Sequence, residues 1–170
     1  MVYLHADKPP GHLIDALGLP KGSRVLAAVA LPDAATWLVA ATTGLGVSRV
    51  GSHEFHPWDL IERATLRREG GVLSVTYADT RATEDFTIQP KDKRFASIVN
   101  EFVRASVVEV EHVTVPGGRV AVALRRRPSD GVLYLQELPD PGVDLAKAAP
   151  AVRAARDRLG EAAGLPSSTW

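Results

Sequence analysis

The 170-residue sequence contains no cysteine. This absence excludes disulfide bonds, thiolate metal ligands and a cysteine nucleophile. The sequence also lacks any apolar run near the roughly 18 residues that a membrane-spanning helix needs. Its first residues, Met1–Asp7, have neither the basic nor the apolar region of a signal peptide. We therefore expect a soluble protein of the cytoplasm.

An excess of either charge is absent as well. Twenty Lys and Arg residues balance twenty Asp and Glu residues, so no global field attracts nucleic acid or an anionic membrane. The hydrophobic fraction of 45% and the charged fraction of 24% are ordinary for a globular protein. At this length they predict one domain over residues 1–170.

Strand signals follow one another closely from residue 24 onwards. The runs are rich in β-branched and apolar residues or alternate in polarity, and turn residues separate them. Such closely spaced strands pair antiparallel, because parallel pairing needs long crossover connections. The predicted strands are Val25–Leu31, Thr36–Thr43, Leu45–Val50, Glu54–Ile61 (bending into a helical turn), Ala64–Arg68, Val72–Tyr77 and Asp85–Gln89.

In the rest of the chain, the spacing of the apolar residues switches between the helical and the strand pattern. Apolar residues recur at helical spacing over Phe95–Val103, and a second helix is predicted over Asp144–Gly164. Between them, Val107–Val115, Arg119–Arg127 and Val132–Leu138 return to strand patterns. A sheet with an apolar face needs a covering layer. We therefore predict an α+β fold, a strongly bent antiparallel sheet or roll capped by an amphipathic helix, with an added C-terminal hairpin and helix.

This order resembles the pleckstrin-homology-like (PH-like) fold of bacterial proteins, a bent antiparallel sheet closed by a helix. The similar segments are Trp37–Thr42, Leu45–Val47, Phe55–Ile61, Leu73–Val75 and Phe86–Ile88. The resemblance covers residues 24–106 and leaves residues 1–23 as an arm with a short helix. Residues 107–170 resemble an extension found in small actinobacterial proteins of unknown role.

The resemblance implies a scaffold that binds peptides, lipids or proteins more often than it performs chemistry. PH-like domains that bind phosphoinositides use Lys and Arg between their first two strands. Here that loop is Pro32-Asp33-Ala34-Ala35, which has no basic residue. No lipid site therefore carries over to this chain.

No constellation of residues predicts catalysis. His53 and His56 beside Glu54 form the most metal-like fragment, but the two histidines point to opposite faces if the segment is extended. The glycines of Gly44–Gly51 miss the spacing of a dinucleotide-binding loop. We therefore predict a protein that is not an enzyme and has no catalytic residue, cofactor or metal.

The strongest charge run is Arg125-Arg126-Arg127. If these side chains converge with other arginines, they form a patch for an anion or a partner. The favoured interpretation is plainer: Arg126 closes the end of a sheet with its stem packed, while Arg125 and Arg127 are solvated. Aromatic residues are not interleaved with the run, so nucleic acid is not the expected partner.

The remaining hypotheses concern binding. Trp37 and Trp58 are expected in the core, while Trp170 either docks on a neighbour or frays. The leading function is a non-enzymatic module that binds a protein or ligand along an exposed sheet edge or beside a helix. The alternative is a small-molecule-binding protein or enzyme that uses a cavity inside the curled sheet. A third hypothesis is homodimerisation through the Val107–Val115 strand.

Overall fold

A computed structural model describes residues 8–33, 35–67 and 69–166. Over these residues the protein is α+β, with three α-helices and three antiparallel sheets. The chain divides between Arg104 and Ala105 into two compact units. The predicted start of the C-terminal extension, residue 107, lies close to this division. No helix of the described ranges is long and apolar enough to cross a membrane.

The first unit begins with a short helix, α1 (Gly11–Ala16), and a four-stranded meander. Each strand pairs antiparallel with the next along the chain, as the short turns predicted. The first strand is covered on both faces, because Val29 lies in the main core while Ala28 packs with Leu17 on the other side. The strands are β1 (Val25–Ala30), β2 (Trp37–Ala41), β3 (Gly44–Arg49) and β4 (Ser52–Pro57).

A second sheet of three strands follows. Its strands are β5 (Ile61–Arg67), β6 (Val72–Tyr77) and β7 (Thr83–Thr87), paired in chain order. A single 3₁₀ turn over Trp58–Leu60 separates β4 from β5, as the predicted bend into a helical turn required. Gly70 and Gly71, the predicted hairpin residues, have φ values of 80° and 63°.

The core of this unit lies between the two sheets and α2 (Lys93–Ser106). Phe95, Val99 and Val103 of the predicted helical stripe are buried in one cluster with apolar residues of both sheets. Trp58 is fully buried, and its Nε1 donates a hydrogen bond to the Ala41 carbonyl over 3.0 Å. The predicted core role of Trp58 is therefore confirmed. Trp37 is half-buried against a smaller cluster, and Trp170 lies outside the described residues.

The second unit is a three-stranded sheet covered by one helix. The strands β8 (Val107–Val115), β9 (Gly118–Arg126) and β10 (Leu133–Pro139) have β9 at the centre. The helix α3 (Leu145–Ala162) begins after Asp144, whose side chain accepts a hydrogen bond from the Ala146 amide over 3.0 Å. Apolar residues of α3 pack on one face of the sheet. Together, residues of the helix and the sheet form a buried cluster of Val115, Val120, Val122, Ala148, Val152, Ala155 and Leu159.

Candidate functional site

The arginine run does not form one patch. Arg125 is only 1% exposed, whereas Arg126 and Arg127 are exposed. The Arg125 Nε donates to Gln136 Oε1 over 3.1 Å, and its Nη1 donates to Ser106 Oγ over 3.0 Å. The expectation that Arg125 is solvated is therefore wrong.

The burial of Arg125 follows from its place in the sheet. It lies on β9, the central strand, whose four residues Val122–Arg125 are all buried. Where both faces of a strand are covered, alternation no longer separates inner from outer positions. A charged side chain at such a position needs polar partners in the protein, and Ser106 and Gln136 supply them.

Arg127, and Arg67 in the second sheet, are each paired with an acid. Arg127 Nη1 donates to Asp130 Oδ2 over 3.0 Å, and its guanidinium lies 5.8 Å from the Tyr134 ring centre. Arg67 forms an ion pair with Asp85 across the second sheet. Arg68 lies outside the described residues. These pairs neutralise local charge and leave Arg126 as the exposed member of the run for which no ion pair is described.

The structure does not bring the two histidines of the His53–His56 fragment to one face. His53 and His56 lie on β4, which is extended, so their side chains alternate between faces. His53 Nδ1 and Ser48 Oγ are hydrogen-bonded at 2.9 Å. Within the described ranges, no group of three His, Asp or Glu side chains could hold a metal ion.

A polar cluster that the sequence did not reveal joins the two sheets of the first unit. Tyr77 donates its hydroxyl to Glu84 Oε2 over 3.1 Å, and Glu84 is ion-paired with Arg49. Arg49 Nη1 lies 3.9 Å from Glu54 Oε1, and Glu54 Oε2 lies 3.4 Å from His56 Nε2. The His56 ring stacks on Tyr77 with centres 4.3 Å apart. The five side chains thus form a closed ring of contacts.

The cluster sets the protonation of Tyr77. Burial, followed by the neighbouring Glu84 carboxylate, raises the pKa of Tyr77 above its ordinary value. The phenol therefore stays protonated and acts as a hydrogen-bond donor, not as a base. Arg49 supplies the compensating positive charge.

Two surface grooves are wide enough to hold small molecules. The larger, about 540 Å³, runs along α3 and is lined by Glu137, Leu145, Ala149, Val152, Arg153, Arg156 and Asp157. In it, Arg156 is ion-paired with Glu137. The smaller, about 250 Å³, is lined by Leu66, Gly70, Gly71, Ile88, Gln89, Pro90 and Lys93. Neither groove is lined by Trp37 or Trp58.

An exposed sheet edge is formed by β8. This nine-residue strand is the longest of the described edge strands and pairs with β9 alone. Val108 and Val110 are 44% and 40% exposed, and they are the only exposed large apolar side chains within a described strand. On the opposite edge, none of the seven residues of β10 is exposed.

The two faces of β8 differ. Val110, His112 and Thr114 are exposed on one face. On the other, Val113 packs in the α3 cluster and Glu111 accepts hydrogen bonds from the Arg158 guanidinium. Glu111 therefore lies on the face of β8 that α3 covers. The bond from Arg158 lowers the pKa of the Glu111 carboxyl below its ordinary value.

Comparisons with known proteins place no further constraint on this surface. No family model, curated protein or solved structure matches the chain.

Proposed function

We propose that this protein is a non-enzymatic interaction module whose β8 edge accepts an added strand from a protein partner. The observation that carries the proposal is the combination of length and exposure in β8. Five of its nine side chains are exposed, and two of them are valines. In the described ranges no other edge strand combines these properties.

The physical basis is the backbone of an edge strand. Its outer N–H and C=O groups have no strand partner and can pair with another extended segment. Main-chain hydrogen bonds then supply affinity, and alternate side chains supply specificity. On β8 these side chains are Val110, His112 and Thr114, so the partner strand should present β-branched or aromatic residues opposite them.

We also propose that the first unit is a PH-like roll. The support is its element order, seven antiparallel strands followed by the amphipathic helix α2, with both sheets and the helix in one core. In this proposal the first unit is a scaffold, and the β8 edge of the second unit carries the binding function.

Binding of a small molecule is a second candidate. It is favoured by the 540 Å³ groove on α3, whose volume is in the range of ligand pockets. This groove lies on the helix surface and not inside the curled sheet. A thermal-shift screen of small acids and amines would support this candidate if a stabilising compound lost its effect in Arg153→Ala. If no compound in the screen raised the melting temperature, that result would count against this candidate.

The edge proposal is tested by selecting extended peptides from a displayed library on the purified chain. We expect the selected peptides to bind the wild-type chain and to lose binding to Val110→Lys. Val132→Lys is the matched control, because Val132 is 47% exposed and lies outside the β8 edge. Selected peptides that bind both variants equally, or the failure to select any on a chain that is monomeric, would overturn the proposal.

A further inference from the structure

We infer that the strand added to β8 is the β8 of a second copy of this chain, antiparallel to the first and centred on His112. The inference rests on the proposed use of the β8 edge and names its partner. It would join two three-stranded sheets into one six-stranded sheet. A two-fold axis normal to the sheet would pass between the two His112 residues.

Symmetry limits the possible registers. In an antiparallel pair, directly opposite side chains point to the same face of the sheet. A two-fold axis therefore places one residue opposite its own copy and pairs its neighbours in reverse order. The candidate centres in the middle of β8 are Val110, Glu111 and His112.

Charge separates these three registers. A centre at Val110 would place Glu109 opposite Glu111 on both sides of the axis, and a centre at Glu111 would place that glutamate opposite itself. Like charges directly opposite each other destabilise a strand pair. A centre at His112 places Glu111 opposite Val113 and Glu109 opposite Val115, so no two glutamates face each other. Arg158 keeps its ion pair with Glu111 from the α3 side.

The regularity of β8 favours the same centre. The register between β8 and β9 shifts at Val107–Glu109, which marks an irregular start to the strand. A centre at His112 pairs only Glu109–Val115, the regular part. Centres closer to Val115 would shorten the pairing. On the exposed face, this register brings Val110 opposite Thr114, a pair of β-branched side chains.

The absence of cysteine allows a direct test of the register. Single cysteines are introduced into the full chain as Val110→Cys, His112→Cys and Thr114→Cys, all at exposed positions. Under mild oxidation we expect His112→Cys alone to form a disulfide dimer, because residues directly opposite each other are within disulfide reach. Val110→Cys and Thr114→Cys should each remain reduced alone and cross-link when mixed.

Light scattering of the unmodified chain supplies the oligomeric state. We expect twice the mass of one chain, and a single-chain mass for His112→Lys, which would place two lysines opposite each other. Val132→Lys should keep the dimer mass. A single-chain mass for the wild type at the highest soluble concentration would overturn the inference. A dimer whose cysteines cross-link in another pattern would overturn it too.

The two proposals fail differently. A monomeric chain that binds selected peptides through Val110 would reject the second copy as partner and keep the edge function. A monomeric chain from which no peptide can be selected would reject both.

Discussion

Arg125 donates a hydrogen bond from Nη1 to Ser106 Oγ over 3.0 Å, and this bond joins the C-terminal end of β9 to the residue that precedes β8. A second bond from Nε to Gln136 Oε1 reaches β10. One buried guanidinium thus joins β9 to β10 and to the last residue of α2. A charge-assisted hydrogen bond of this kind is stronger than a neutral one.

We expect Arg125→Ala to lower the free energy of unfolding by at least about 2 kcal/mol, because it removes both hydrogen bonds and a buried side-chain stem. Urea denaturation followed by circular dichroism measures the change. Arg126→Ala is the control, since Arg126 is the exposed neighbour on the same strand; its effect should stay within about 0.5 kcal/mol. Equal effects of the two substitutions would contradict the structural role of Arg125.

Gly71 is predicted to tolerate a side chain less well than Gly70. Both glycines have positive φ, so alanine strains the backbone at either position. A Cβ on Gly71 would also lie 2.7 Å from the Ile88 carbonyl oxygen, whereas the nearest atom to one on Gly70 is 3.8 Å away. Gly71→Ala should therefore lower the thermal midpoint more than Gly70→Ala. The reverse order in a calorimetric comparison would show that this contact is absent.

Tyr77→Phe tests the polar cluster through its pH dependence. The folded protein holds the pKa of Tyr77 above the ordinary value of 10.0. Because the unfolded chain releases this proton first, the stabilisation by Tyr77 is complete below pH 10 and is lost as the pH rises above it. The wild type should therefore exceed Tyr77→Phe in unfolding free energy near neutral pH. This advantage should shrink in alkaline solution, and a constant difference would argue against the burial of the phenol.

Glu111→Gln tests the ion pair with Arg158 at acid pH. The pKa of Glu111 is lowered in the folded protein, mainly by the hydrogen bond from Arg158. Its stabilisation is therefore present above the unfolded pKa and disappears as the pH falls through the folded one. Because the pair is solvent-exposed, the effect should be small. Denaturation at several pH values should show the wild type converging on Glu111→Gln in acid, and a difference that persists in acid would argue against the ion pair.

Strand and helix positions were largely predictable, because they depend on local periodicity. Val72–Tyr77 and Val107–Val115 have the predicted bounds, and α2 contains the whole Phe95–Val103 stripe. The candidate site was less predictable. The alternation of β8 revealed a strand with two glutamates, but its edge position and exposed valines depend on which strand pairs with which. No local signal indicates that Arg49 and Glu84 meet, since they come from different sheets.

By itself, the sequence determined the α+β class, the order of the elements and the absence of cysteine chemistry. These properties follow from residue type and from periods of 2 and 3.6 residues. Only the tertiary structure decided that Arg125 is buried while Arg126 is exposed, and that β8 lies at an edge. The first outcome depends on what covers the faces of β9 and the second on which strands pair, and both involve residues distant in the chain.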